Sequence, residues 1–170
     1  KDSKVVEATY TKVEPSSWKF VTDEAALNVG DKVVIVAAER NYAMSTNQKT
    51  NNRGVATITK GIDDVMINGD VQILTLEAGT KTGTFAFNTG SGYLYAASSS
   101  SNHLKTKDTK DANGSWVIKI ENGVASIKAQ GDYTRNIMQY NIQSTLFACY
   151  GSASQSAINI YKEVTEQTPE

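Results

Sequence analysis

Cysteine, histidine and proline are scarce in this sequence of 170 residues, which has one, one and two of them respectively. A single cysteine, Cys149, cannot form a disulfide bond within the chain. Cys149 and the single histidine, His103, are also too few ligands for a thiolate or histidine-rich zinc site. A Ser-His-Asp triad would have to use His103, and no Gly-x-Ser-x-Gly motif supplies its serine. We therefore expect no metal, no cofactor and no catalytic residue. We place His103 on a hairpin surface and Cys149 in a half-buried strand.

Long apolar runs are missing too, and none approaches the roughly 18 residues that a membrane-spanning helix needs. The first residues, Lys1-Asp2-Ser3-Lys4, lack the apolar core of a signal peptide, which leaves open whether a leader or a lipid anchor lies upstream. Net charge is −1, and lysine and arginine are scattered along the chain rather than clustered. This pattern argues against direct binding of nucleic acid.

The usual ligand-binding loops are also absent. Gly90-Ser91-Gly92 is not followed by the Gly-Lys-Ser/Thr of a phosphate-binding loop, so it is interpreted as a turn. The segment 108–114 fails the calcium-loop spacing and lacks the glutamate that would end such a loop. Two carboxylates are enough for glycoside hydrolysis. However, the acidic residues here lie mostly in polar turns, which favours solvated charges.

What the sequence does contain is a series of short β-type segments of four to seven residues, separated by Gly, Asn, Ser and Asp. Three Asn-Gly pairs, at 68–69, 113–114 and 122–123, predict tight turns because both residues tolerate positive φ. The two prolines, Pro15 and Pro169, lie outside the strand-rich region and interrupt no strand. Only 23–28 suggests a helical turn.

The strands can be grouped into three units of four, as expected of an internal repeat. The predicted strands of the first unit are 33–37, 42–46, 54–59 and 71–77. Those of the second are 84–88, 93–98, 103–107 and 115–120. Those of the third are 124–129, 136–141, 146–150 and 157–162. The first unit is the longest, and its surplus lies at about 60–70.

Apolar residues recur at equivalent places in the three units, as a core with pseudo-threefold symmetry requires. The predicted inward residues of the last strands are Leu74 and Leu76, Ile118 and Ile120, and Ile158 and Ile160. Those of the second strands are Ala43, Leu94 and Ile137, and those of the first strands are Ile35, Phe85 and Ile127. We therefore predict an all-β fold, a β-trefoil-like barrel of three four-strand repeats, with a β-sandwich as the alternative. Trp116 is assigned to the core.

The predicted organisation has three parts. Residues 1–32 form an N-terminal strand, at about 5–13, and a connecting segment packed on the barrel. The three-repeat domain spans 33–163, with units at 33–79, 84–123 and 124–163. Residues 164–170 form a frayed tail. Trp18, outside the repeats, is a candidate exposed aromatic residue, and packing against a neighbouring apolar residue is the alternative.

Several motifs resemble a known type of domain. They are Gly30–Val36, Tyr42–Ser45, Asn52-Arg53, Gly92–Ala96, Asn102–Leu104, Arg135-Asn136, Tyr140-Asn141, Leu146–Tyr150 and Ile160–Lys162. The chain is similar over about 8–163 to accessory β-domains of secreted or lipid-anchored proteins from Gram-negative gut anaerobes. It also resembles, more distantly, the repeats of fascin-like and ricin-type trefoils. The resemblance implies an extracellular or outer-surface location and a non-enzymatic role. The Gln-x-Trp motif of ricin-type lectins is absent, so their sugar-binding residues are not transferred.

Aromatic faces beside amide and cationic groups are what saccharide recognition needs. The candidate aromatic faces are the rings of Tyr93, Tyr95, Tyr140 and Tyr150. The predicted ligand-binding residues are Asn52, Arg53, Tyr93, Tyr95, Asn102, His103, Arg135, Tyr140 and Asn141. Asn52-Arg53 and Asn102-His103 lie at the same place in their units, between the second and third strands. We expect a monomeric binding module for a glycan, with a protein-interaction or structural accessory domain as the alternative.

Overall fold

The computed structural model describes residues 11–13, 16–165 and 167–169. The first unit contains β3 (Lys32–Ala37), β4 (Tyr42–Gln48), β5 (Arg53–Thr57) and β8 (Leu74–Ala78). The second contains β9 (Phe85–Asn88), β10 (Tyr93–Ala96), β11 (Leu104–Lys107) and β12 (Trp116–Glu121). The third contains β13 (Val124–Ala129), β14 (Ile137–Asn141), β15 (Leu146–Tyr150) and β16 (Ile158–Val164). The remaining strands are β1 (Thr11–Val13), β2 (Ser17–Phe20), β6 (Thr59–Lys60), β7 (Asp64–Met66) and β17 (Gln167–Pro169).

The first and last strands of each unit close into a six-stranded antiparallel ring. Going round it, β3 pairs with β8, β8 with β9, β9 with β12, β12 with β13, β13 with β16, and β16 with β3. A closed ring made of two strands from each of three units is the barrel of a β-trefoil, so the predicted fold class is confirmed. The helices among the described residues are single 3₁₀ turns, Glu24–Ala26 and Ala112–Gly114, and no described helix is long and apolar enough to cross a membrane.

The second and third strands of each unit form hairpins outside this ring: β4–β5, β10–β11 and β14–β15. The hairpins also join one another. Phe147 pairs with Arg53, and the backbone amide of Leu104 donates to the Asn51 carbonyl at 2.9 Å. The three hairpins therefore form one connected layer, in which each unit borders its neighbours.

The core receives side chains from all three units, as predicted from the repeats. The predicted last-strand residues are buried in it, except for Ile120, which is partly buried against it. Trp116 is fully buried, as assigned. The register of the other strands differs in places. In β9, Phe85 packs partly buried against the core, and Phe87, two positions further on the same face, is fully buried in it. In the second strands, Met44 and Met138, rather than Ala43 and Ile137, occupy the core beside Leu94. A shift of one residue moves a strand's side chains to its opposite face.

The surplus residues of the first unit build a layer outside the barrel. Strands β6 and β7 form a hairpin, β7 pairs with β2, and β2 pairs with β16. A second apolar cluster lies in this layer. Trp18 belongs to it and is only 6% exposed, so its prediction as an exposed aromatic residue is wrong and the packing alternative holds.

The two ends of the described chain meet. Strand β17 pairs with β1, with Thr11 opposite Pro169. This pairing differs from the frayed tail expected after residue 163, because the tail backbone finds a partner strand. The predicted N-terminal strand at 5–13 is described only from Thr11 onward, and its residues 5–10 lie outside the described chain.

Of the three Asn-Gly pairs, only Asn122-Gly123 adopts the expected hairpin turn. Asn122 has φ 53° and Gly123 has φ 79°, and together they connect β12 to β13. Positive φ at both central residues is the geometry of a type I′ turn. Asn113-Gly114 instead ends a 3₁₀ turn, and Asn68 accepts a hydrogen bond from the Asp70 amide in a wider loop.

Candidate functional site

One face of each hairpin points into the core, and the opposite face points outward. Strand register makes Met44, Leu94 and Met138 equivalent core residues. Side chains alternate along a strand, so the next residues on the outer face are Ser45, Tyr95 and Gln139. This outer face differs among the three units.

In the first unit the outer face is covered by protein. Ala43 and Ala56 pair across the β4–β5 hairpin and are buried in the second apolar cluster, together with Trp18 and Val65 of the outer layer. The inserted residues of this unit therefore cover the outer face of its hairpin.

In the second unit the outer face carries Tyr93 and Tyr95, both predicted ligand-binding residues. The Lys107 ammonium lies 4.3 Å from the centre of the Tyr95 ring, and the Lys110 ammonium lies 5.6 Å from that of Tyr93. The Tyr93 hydroxyl donates to Glu77 at 3.0 Å, which raises the tyrosine pKa. Both rings are partly buried and already contact lysines within the protein.

The outer face of the third unit's hairpin borders a polar cavity of about 520 Å³. It lies between the β14–β15 hairpin, the loop that follows β15, and the tip of the second unit's hairpin. The lining residues are Asn102, Arg135, Asn141, Tyr150, Gly151, Ser152, Ser154 and Gln155. Three predicted residues, Asn102, Arg135 and Asn141, are thus brought together here, although they come from two different units.

The polar groups of this cavity are held in place by hydrogen bonds. Arg135 Nη1 donates to Asn102 Oδ1 at 2.6 Å. Asn141 Nδ2 donates to the Tyr150 hydroxyl at 3.1 Å, while Asn141 Oδ1 accepts from the amides of Gln143 and Ser144. Burial raises the pKa of Tyr150, so its hydroxyl keeps its proton at neutral pH and can donate it to a ligand. The cavity therefore offers an ordered set of donors and acceptors.

Buried Gln139 anchors the loop that forms one wall. Its Nε2 donates to the Ser152 carbonyl at 2.8 Å, and its Oε1 accepts from the Gln155 amide at 2.8 Å. One amide side chain thus fixes both ends of the loop 152–155. Because Gln139 fixes this loop, the hydroxyl and amide groups of the loop would lose little conformational entropy if they bound a ligand.

An apolar cavity of about 250 Å³ adjoins the polar one. Gln155 lines both cavities. The apolar walls of the smaller one include Val124, Ile137, Met138 and Ile158. Together the two cavities place a polar surface beside an apolar one, which suits a ligand with hydroxyls on one side and C–H groups on another.

Of two further predicted residues, Asn52 does not line the cavity and Arg53 is not available to a ligand. Arg53 is 2% exposed, and its guanidinium donates to Gln48, Thr106, the Ser45 carbonyl and Gln72. Burial lowers its pKa to about 10. Strand register places Arg53 at the position that Leu104 and Phe147 fill in the other hairpins. Asn52-Arg53 is therefore offset by one residue from Asn102-His103, and the predicted equivalence of the two pairs is wrong. Oδ1 of Asn52 is buried without a partner among the described residues.

Tyr140 and His103 are also not part of the cavity. Tyr140 is 1% exposed and packs on Phe147, with ring centres 5.2 Å apart, so its prediction as a ligand-binding residue is wrong. Alternation along β14 turns its ring into the core. His103 is partly buried at the end of the loop before β11, and burial followed by the charge of Lys105 lowers its pKa.

The single cysteine is not placed to act as a nucleophile. Cys149 lies in the core rather than in a half-buried position, and burial raises the pKa of its thiol far above neutral. In the part of the chain that the structure describes, no three His, Cys, Asp or Glu side chains are grouped to hold a metal ion.

Sequence reasoning did not identify the loop residues Gly151, Ser152, Ser154 and Gln155. They contain no aromatic or charged side chain, and small polar residues are common in any turn. The available signal was the position of the loop directly after Tyr150, one of the candidate aromatic faces.

Tyr133, the exposed aromatic residue two positions before Arg135, was also not predicted as a candidate. It is 40% exposed and does not line the cavity.

The fold and the site define a β-trefoil with an uncovered polar cavity in its third unit. No family model matches the chain, and no curated protein matches it. Among solved structures it is similar to one described as SeviL bound to asialo-GM1 saccharide, with a TM-score of 0.53 and 13% sequence identity. The similarity covers 82% of this chain and 98% of that one. At this identity the two chains share a fold.

Proposed function

We propose that this chain is a non-catalytic saccharide-binding module of a secreted or surface protein, and that the third-unit cavity is its binding site. The single observation that carries the proposal is the cavity itself, in which amide, hydroxyl and guanidinium groups converge beside an apolar wall. Hydroxyl-rich ligands with apolar C–H faces need this combination. SeviL, which shares the fold, has a saccharide bound in its structure.

The location outside the cell is proposed on the basis of composition. The chain has many Ser, Thr, Asn and Gln residues, including the run 98–102, and its single cysteine is buried. A buried thiol is compatible with an oxidising compartment because it is protected from disulfide exchange.

The experiment is a broad glycan array, followed by calorimetric titration of each hit. Gln155→Ala is the site variant, because the one hydrogen bond of the Gln155 side chain among the described residues is to Ser154, at 3.5 Å, and the amide that anchors the loop belongs to the backbone. We expect Gln155→Ala to weaken binding about 2- to 12-fold, the range of one hydrogen bond. Gln143→Ala is the matched control, since Gln143 is exposed on the adjacent turn and does not line the cavity.

Two outcomes count against the proposal. If the folded protein binds no saccharide on the array, the saccharide function is wrong and the protein-interaction alternative takes its place. If a saccharide binds but Gln155→Ala and Gln143→Ala behave alike, the function stands and the site is elsewhere.

A further inference from the structure

We infer that the preferred ligand is a saccharide carrying an anionic group, a carboxylate or a sulfate, which Arg135 binds in the third-unit cavity. This inference rests on the proposed function and narrows it to one chemical class of saccharide.

Arg135 is held in position for this role. Its backbone amide donates to the Ser98 carbonyl at 3.3 Å, and Nη1 donates to Asn102 at 2.6 Å. A guanidinium has five N–H donors, and Asn102 is the only acceptor of its side chain among the described residues. Gly151 packs beside the side chain, since a Cβ there would be 3.6 Å from Arg135 Cδ. The guanidinium is thus oriented, and most of its donors remain available.

The charge of Arg135 is not balanced within the protein. No Asp or Glu lines the cavity, and no described carboxylate lies within 4.0 Å of the guanidinium. The second unit shows the opposite arrangement on its equivalent face. There Lys107 pairs with Asp111, and Lys110 pairs with Glu77 at 2.8 Å. The third unit's cavity therefore presents a cation without a described carboxylate partner, whereas these two cations of the second unit are paired.

A partly buried guanidinium with open donors matches carboxylate or sulfate oxygens, which it can bind through two parallel hydrogen bonds. The neighbouring hydroxyls and amides suit the rest of a sugar ring. Because the whole chain carries a net charge of −1, long-range attraction does not favour acidic ligands. Any preference for an anionic saccharide must then come from the cavity.

The test compares matched pairs of saccharides by calorimetric titration: sialyllactose against lactose for the carboxylate, and a sulfated disaccharide against its desulfated form. We expect the acidic member of at least one pair to bind about tenfold more tightly or better, as charge-assisted hydrogen bonds allow. The pair that shows this preference identifies the anion. Raising the salt concentration should reduce the preference.

Three variants connect the preference to Arg135. Arg135→Gln should make the two members bind nearly equally, because the acidic member loses a charge-assisted contact while the neutral member loses at most an ordinary hydrogen bond. Arg135→Lys should keep part of the preference. Arg40→Gln is the control, because Arg40 donates only to the neighbouring Glu39 carbonyl and does not line the cavity.

The outcomes separate this inference from the function on which it rests. If lactose and the desulfated disaccharide bind as tightly as their acidic partners, the inference is overturned and the saccharide function stands. If the preference survives in Arg135→Gln, its assignment to Arg135 is wrong. If no saccharide binds at all, both proposals fall.

Discussion

The buried guanidinium of Arg53 gives the most direct test of the packing described above. Arg53 Nη2 donates to Gln72 Oε1 at 2.6 Å, and both residues are buried. We predict that Arg53→Met and Gln72→Leu, studied singly and together, show a coupling free energy of about 1.5–3 kcal/mol, the range of a hydrogen bond to a charged group. The double variant should therefore be more stable than the sum of the single losses indicates.

The expected loss for Arg53→Met alone follows from its partners. Gln48 Oε1 keeps a hydrogen bond from Thr106 at 2.7 Å, so Gln72 Oε1 and the Ser45 carbonyl are the acceptors left without this donor. Two unpaired buried acceptors cost about 2–6 kcal/mol. Against this, the fall of the Arg53 pKa from 12.5 to about 10 indicates that burying the charge costs about 3 kcal/mol. The net loss should be no more than about 3 kcal/mol.

The measurement is urea unfolding of the four proteins at pH 7, with equal m values confirming that the same surface is exposed in each. Gln130→Leu is the matched control for Gln72→Leu, since Gln130 donates to the Lys128 carbonyl and has no contact with Arg53. The change in unfolding free energy caused by Gln130→Leu should add to that caused by Arg53→Met, with no coupling between them. A coupling below about 0.5 kcal/mol between Arg53 and Gln72 would refute the reasoning, because the hydrogen bond would then contribute nothing to the folded state.

Three further predictions concern single residues. Tyr140→Ala should lower the free energy of unfolding by about 3–5 kcal/mol, because it removes a core ring; a loss under 1 kcal/mol in chemical denaturation would contradict its burial. Cys149 should not react with a coloured thiol reagent in the native protein and should react fully in urea, because its thiol is buried. Hydrogen bonds from Lys110 and Asn88 lower the pKa of Glu77 below its ordinary 4.5. Its contribution to stability is therefore present above pH 4.5 and is lost as pH falls through the lower folded pKa. In Glu77→Gln, the free energy of unfolding should therefore depend less on pH in this acid range than in the unsubstituted protein. An equal pH dependence in the two proteins would contradict the assignment.

The repeat pattern predicted the architecture because a core with pseudo-threefold symmetry requires apolar residues at equivalent places in each unit. Leu74, Ile118 and Ile158 show this pattern in sequence and are all buried in the same core. The register of the hairpins was harder to predict. Met44 and Ala43 are adjacent and both apolar, and each is buried in a different cluster. Alternation along a single strand cannot distinguish the faces when both are covered.

The candidate site, too, was only partly predictable from the sequence. Asn102, Arg135 and Asn141 were predicted as types of residue that bind saccharides, and three of the cavity's polar groups are theirs. Arg53 and Tyr140 were predicted for the same reason and are buried. Residue type indicates which chemistry a side chain can perform, but its exposure depends on which strands pack over it.

The sequence by itself determined the strand content, the three units and the place of Trp116 in the core, because these follow from local alternation and from repetition along the chain. Only the tertiary structure decided which outer face is open. The first unit's face is covered by residues inserted within that unit and by β2, and the second unit's tyrosines lie beside lysines. The third unit's cavity joins Asn102 to Arg135, which are 33 positions apart. Such contacts between units arise from packing, and no local pattern records them.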